Sequence, residues 1–211
     1  MKKTSLIVFS VLLLAGGVVL ITSSLAVQSL SNTFAHMGRF GYIVYIFILV
    51  SAVVYAPMTG TPAILIASSV FGAFPTAIMS VLGWTLGSAI AFYLSRRFGR
   101  AFLQKYFDLD KIDTLLLKIP EDSLFLFIVI LRLTLPIDIV SYTLGLTKSL
   151  SFTRYIVATF IGVIWFSFAF AYMGGAIIQG DHKTFIVLAF FSLLVFGYAV
   201  YLLYSKKDDK S

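Results

Sequence analysis

Cysteine is missing from the 211 residues, and histidine occurs only at His36 and His182. Without cysteine there is no disulfide framework and no thiolate metal site, and two distant histidines offer no metal-ligand spacing. No metal centre and no cofactor is expected. Acidic residues are scarce as well: nine Asp and Glu against sixteen Lys and Arg give a net charge of +7. The apolar segments hold no paired carboxylates for acid–base work. HExxH, GxSxG and Gly-rich phosphate loops with lysine are all missing. The sequence therefore does not read as an enzyme. Long polar stretches are rare too. With 60% hydrophobic residues and a mean hydropathy of +1.00, an ordinary soluble domain is excluded, and the chain reads as an all-α polytopic membrane protein.

What is present is arranged accordingly. The basic residues flank the apolar runs, a pattern that meets anionic lipid headgroups and sets topology, and nucleic acid is not an expected partner. A first span is expected at 5–27, after Lys2 and Lys3; the alternative is a cleaved signal peptide. Further full spans are expected at 40–57, 76–94, 151–177 and 184–204, about five in all. The chain divides into a first span and loop (1–39), a central membrane domain (40–177), and a last span with a basic tail (178–211).

Two segments within the central domain are apolar but too short to cross. The stretch near 58–75 contains Pro57, Pro62 and Pro75 with Gly60 and Gly72; that near 123–147 is cut by Pro136. Broken backbone is tolerated at membrane depth only inside protein or beside a wet cavity, so both read as re-entrant segments. Pro62 precedes Phe71-Gly72, and Pro136 precedes Leu144-Gly145. A helix bearing Gly83 follows the first, and one bearing Gly162 follows the second. Paired interruptions of this kind point to an inverted repeat with a binding site between the halves. Gly83 and Gly87 form a GxxxG pair, best read as helix packing.

Charge bias places the loop 95–122 and the C-terminal tail on the cytoplasmic side and leaves the side of the N-terminus open. Residues 98–119 show apolar spacing that fits a surface-lying amphipathic helix or a solvated connector. Arg96, Arg97 and Arg100 anchor the preceding span or capture headgroups at the cytoplasmic mouth.

Within the apolar segments two charged residues stand out, Arg132 and Asp138, on either side of Pro136. Each costs roughly 2.5–3.5 kcal/mol at a helix centre on insertion scales, so each needs a partner. One reading is a mutual salt bridge that pins the turn. The other is a substrate path, in which Arg132 takes a phosphate and Asp138 takes up a proton.

The motifs resemble those of the VTT domain, found in the DedA superfamily and its SNARE-associated Golgi protein-like branch. The first half of the resemblance runs through Pro62, Phe71-Gly72, Gly83, Gly87, Phe92, Arg96, Gly99 and Arg100. The second runs through Arg132, Pro136, Asp138, Tyr142, Gly145, Phe152 and Gly162. It implies a helical fold with two re-entrant segments meeting in the membrane. It also implies movement of lipids such as polyprenyl phosphate or phospholipid between leaflets of the cell membrane, in some members coupled to protons. By the same resemblance Arg132 falls at a functional position. Pro136, Asp138, Tyr142, Arg96 and Arg100 join it as candidate substrate-binding residues, and Pro62, Phe71, Gly72, Gly83, Gly87 and Gly145 are candidate re-entrant and packing positions. This sequence departs from the pattern where Leu135 replaces a second proline and where "YAPMTGTP" carries no acid. A non-transporting membrane scaffold and a small-solute or ion carrier are the competing functional classes. The oligomeric state is left open.

Overall fold

A computed structural model describes residues 32, 34, 36–55, 61–99, 121–147 and 150–208. The expected first span, Arg100 and most of the loop 95–122 lie outside the described residues. Seven α-helices and no strand occur among those described: α1 (Arg39–Val54), α2 (Thr61–Phe71), α3 (Ala73–Leu94), α4 (Glu121–Thr134), α5 (Ile137–Gly145), α6 (Phe152–Gln179) and α7 (His182–Asp208). A π-helical turn, Ser95–Gly99, continues α3.

Helix length separates the elements into two kinds. Three segments are long and apolar enough to cross a membrane: Ala73–Gly99, Phe152–Gln179 and His182–Leu202. The expected span at 40–57 differs. Helix α1 has 16 residues, about 24 Å at 1.5 Å per residue, which falls short of a ~30 Å hydrocarbon core. Helices α2 and α5, with 11 and 9 residues, are shorter still.

The breaks have identifiable local causes. Gly72 separates α2 from α3 at φ 83° and ψ 159°, a conformation open essentially to glycine alone. Pro75 then falls in the first turn of α3, where a missing N–H costs nothing. Pro62 likewise lies in the first turn of α2. Pro136, at ψ 137°, caps the start of α5 in extended geometry and separates it from α4. Between α6 and α7 the turn is tight. Gly180 is left-handed at φ 70°, and the Asp181 N–H returns to the Ala176 carbonyl at 2.9 Å. The Asp181 carboxylate then caps α7, accepting from the Thr184 N–H at 3.1 Å and from its hydroxyl at 2.5 Å.

Among the described residues, the long helices α3 and α6 make the most extensive contact. Helix α1 packs on α3, and α4 packs on α6. The short helices cross over: α2 packs on α6 and α5 on α3. Small residues set the close approaches. A Cβ at Gly83 would come within 2.9 Å of Leu49 Cβ, and one at Gly87 within 2.9 Å of Val53 Cβ. Both glycines thus seat α1 against α3, the packing expected of the GxxxG pair. A Cβ at Gly145 would reach 2.5 Å from the Phe92 carbonyl, and one at Gly174 would reach 2.6 Å from Ser68 Oγ. These two glycines seat α5 on α3 and α2 on α6. Phe71 closes the end of α2, its ring 4.5 Å from Tyr42 and 5.7 Å from Phe34.

Helix α7 lies against α6 and α4, yet nearly all its described side chains are exposed or half-buried. Its exposed Phe190, Leu193 and Tyr198 form the surface that hydrocarbon covers in a bilayer.

Candidate functional site

Arg132 sits in the last turn of α4, and Asp138 in the first turn of α5. Each charge complements the dipole of its own helix end: a cation where carbonyls point out, an anion where N–H groups do. That answers locally why the two residues flank Pro136. They do not form a salt bridge. Asp138 is half-buried, and no ion pair joins it to Arg132 among the described residues. Of the two readings of the pair, the mutual pin of the turn is not the arrangement observed: the charges are placed separately, and Asp138 acts on Arg132 only through space.

Arg132 is 5% exposed, and its partners are neutral oxygens. Nε donates to Thr159 Oγ1 at 3.2 Å. Nη1 donates to the Ile137 carbonyl at 2.6 Å and to Ser141 Oγ at 3.1 Å. Nη2 donates to Tyr155 Oη at 2.6 Å and to Thr159 Oγ1 at 3.0 Å. These bonds account for every N–H of a guanidinium. Its hydrogen bonding is satisfied while its charge is not. The stem is gripped too: a Cβ at Gly162 would lie 2.7 Å from Arg132 Cβ, so only glycine lets α4 come this close to α6.

Tyr155 extends the site to α3. Fully buried, it accepts from Arg132 and donates to the Ser88 carbonyl at 3.1 Å. Its ring stacks on Phe92 with centroids 4.1 Å apart. The Arg132 guanidinium carbon stands 5.3 Å from the Tyr155 ring, and that of Arg96 stands 4.4 Å from the Phe92 ring on the same stack. A column Arg96–Phe92–Tyr155–Arg132 therefore joins two of the expected site residues through two aromatic rings, each cation near a ring quadrupole.

The other expected residues occupy distinct places. Arg96 donates through Nη2 to the carbonyls of Thr147 and Leu150, both at 2.7 Å, which staples the α5–α6 connection to the end of α3. Tyr142 donates to the Val54 carbonyl at 2.5 Å, tying α5 to the end of α1, and it makes no bond to Arg132 among the described residues. Pro136 is exposed at the break. A cavity of about 580 Å³ opens beside Tyr142, between Ser95 and Phe98 of the π-turn and Leu146. No cluster of three or more potential metal ligands occurs among the described residues.

Sequence reasoning did not single out Tyr155, Thr159 or Ser141. A signal was present: Ser151, Tyr155 and Thr159 recur every fourth residue and lead to Gly162, which puts a polar stripe on one face of α6.

The family model of the VTT domain matches residues 56–176, more than half of the chain. The chain belongs to the VTT-domain family. The matched range runs from the segment before α2 through most of α6, so the breaks at Gly72 and Pro136 and the whole Arg132 cage lie inside the VTT domain. Comparison with curated proteins and with solved structures gives no match. Its apolar helices and its VTT domain make this a membrane protein.

Proposed function

We propose that this VTT-domain protein moves a phosphate-bearing lipid, such as a polyprenyl phosphate or a phospholipid, between the leaflets of the cell membrane. One observation carries the reading. A buried arginine sits at the break between two short helices, and no carboxylate pairs with it among the described residues. A cation at membrane depth without a counter-ion marks a functional position, and a planar fork of donors matches a phosphate. The reaction is transport, and no bond is made or broken.

The architecture supports the same reading. Helices α1, α2 and α3 on one side correspond to α4, α5 and α6 on the other. Each short helix, α2 or α5, packs on the long helix of the opposite half. This exchange fits an inverted repeat in which two re-entrant hairpins, α1–α2 and α4–α5, meet from opposite faces. Gly83 against Leu49 then corresponds to Gly162 against Arg132. The two halves offer equivalent places for one side chain, and only the second fills it with a cation. In this arrangement the loop 95–122 and the C-terminal tail face the cytoplasm, and the protein uses no cofactor.

Asp138 is the acid nearest the break and would carry a proton if the cycle is coupled. The test is leaflet exchange in proteoliposomes carrying labelled phospholipid or labelled polyprenyl phosphate. Exchange faster than in protein-free vesicles is expected. Folded, correctly inserted protein that leaves both lipids on their original leaflet would sink the proposal.

A further inference from the structure

The same site carries an inference about how it is controlled, which rests on the reading that Arg132 takes the phosphate. In this conformation Arg132 has no N–H to offer. Two neutral hydroxyls of α6, one hydroxyl of α5 and one carbonyl of α5 take them all, at 2.6–3.2 Å. With 5% exposure, the side chain is also closed to any ligand.

The bonding is full but the charge is uncompensated. Neutral oxygens satisfy donors, and they supply no counter-charge. A phosphate supplies both, through shorter and roughly twice stronger charge-assisted bonds. The cage and the headgroup therefore compete for the same donors. We propose that the hydroxyls of Tyr155, Thr159 and Ser141 hold Arg132 in a closed resting state, and that headgroup binding exchanges these acceptors for phosphate oxygens. Tyr155 and Thr159 are then positioning residues that set headgroup affinity.

Tyr155 also decides what the exchange does to the fold. It is bonded at once to Arg132 on α4 and to the Ser88 carbonyl on α3, which makes it a link between the two halves. Release of Arg132 from Tyr155 frees α4 from that chain of bonds and leaves the Tyr155–Ser88 tie between α6 and α3 in place. The remaining ties between α3 and the second half include Ser95 Oγ to the Tyr142 carbonyl at 2.6 Å and the Arg96 staple. Loading the arginine thereby loosens α4 against α6 and leaves the contact between the halves fastened.

The experiment is a titration of the purified, full-length protein with sn-glycerol 3-phosphate, followed by 31P NMR. It compares wild type with Thr159→Val, Tyr155→Phe and Ser141→Ala, each with and without Arg132→Gln. Thermal unfolding of every variant shows that it is folded. Thr159→Val keeps the shape and removes the acceptor shared by two N–H groups, so a tighter fit for the phosphate probe is expected, about tenfold for ~1.4 kcal/mol of lost competition. Tyr155→Phe and Ser141→Ala are expected to tighten it several-fold. Arg132→Gln should abolish binding in every background. If Arg132→Gln abolishes binding while the three hydroxyl variants bind no better than wild type, the cage is not a competitor and this inference fails alone. If Arg132→Gln changes binding in no background, the phosphate reading of Arg132 fails with it. Should one hydroxyl variant not fold, the other two decide the outcome.

Discussion

Gly162 lies against Arg132 so closely that a Cβ on the glycine would fall 2.7 Å from Arg132 Cβ and 3.0 Å from its Cγ. The neighbour here is a buried, five-bonded side chain with no slack, so it cannot yield as the end of a flexible chain would. Gly162→Ala is expected to push Arg132 out of register with Thr159 and Tyr155 and to lower stability by about 1–3 kcal/mol through overpacking. Gly197→Ala on α7, where nothing lies within 4 Å, is the matched control and should be neutral or slightly stabilising. Thermal unfolding in one detergent checks both. Equal melting temperatures for the two variants would contradict the close approach.

The hydroxyls buried in the first half should behave differently from those in the cage. Tyr45 Oη and Ser80 Oγ are 2.6 Å apart, and Ser80 also donates to the Thr76 carbonyl at 2.7 Å. No cation takes part. Tyr45→Phe is expected to cost about 1 kcal/mol of stability and to leave leaflet exchange per folded molecule unchanged. An exchange assay normalised to folded protein tests this, and a large loss of exchange would place Tyr45 in the substrate path.

Arg132 and Asp138 should show little energetic coupling, because no ion pair joins them. A double-mutant cycle with Arg132→Gln and Asp138→Asn is expected to give an interaction energy below about 1 kcal/mol. Asp138→Asn alone should cost no more than about 1 kcal/mol, the worth of a first-turn acid. A coupling near 3 kcal/mol or above would restore the salt-bridge pin.

How much of this was legible beforehand follows from chain distance. Both breaks were readable, because Gly72 and Pro136 act within their own turns. Gly83 and Gly87 were readable as a close-packing pair from their GxxxG spacing, whereas Gly145 was named only as part of the broken segment and of the family pattern. The two charges flanking Pro136 stood out against an apolar background. What they do was not readable. Arg132's partners Tyr155 and Thr159 lie 23 and 27 residues away, and Ser88 lies 67 residues from Tyr155. Such pairings depend on how α4, α3 and α6 pack. Hydroxyls are common in membrane helices, so their presence alone selects none of them. The 40–57 stretch was composed like a span, yet the helix within it ends at Val54, before Pro57; composition did not show where the helix would stop.

The turn between α6 and α7 gives a pH prediction outside the membrane. Thr184, through its hydroxyl first and then its backbone N–H, holds the Asp181 carboxyl below the usual carboxylate range. A depressed folded value means the cap's contribution is complete above the unfolded value of about 4 and is lost as pH falls through the folded value. Between pH 6 and 8 this cap adds no pH dependence. Thr184→Val should raise the Asp181 titration midpoint toward the ordinary range, read from its carboxyl carbon by NMR. An unchanged midpoint would show that the hydroxyl contributes nothing.

The most direct test of the account compares wild type with Arg132→Lys and Arg132→Gln for leaflet exchange of a labelled phosphate-bearing lipid in proteoliposomes, with folding and insertion verified for each. The account predicts fast exchange in wild type, a reduced rate with lysine, which keeps the charge but loses the planar fork, and a rate near that of protein-free vesicles with glutamine. Exchange by the glutamine variant at the wild-type rate would contradict it and leave Arg132 as a structural link between α4, α5 and α6.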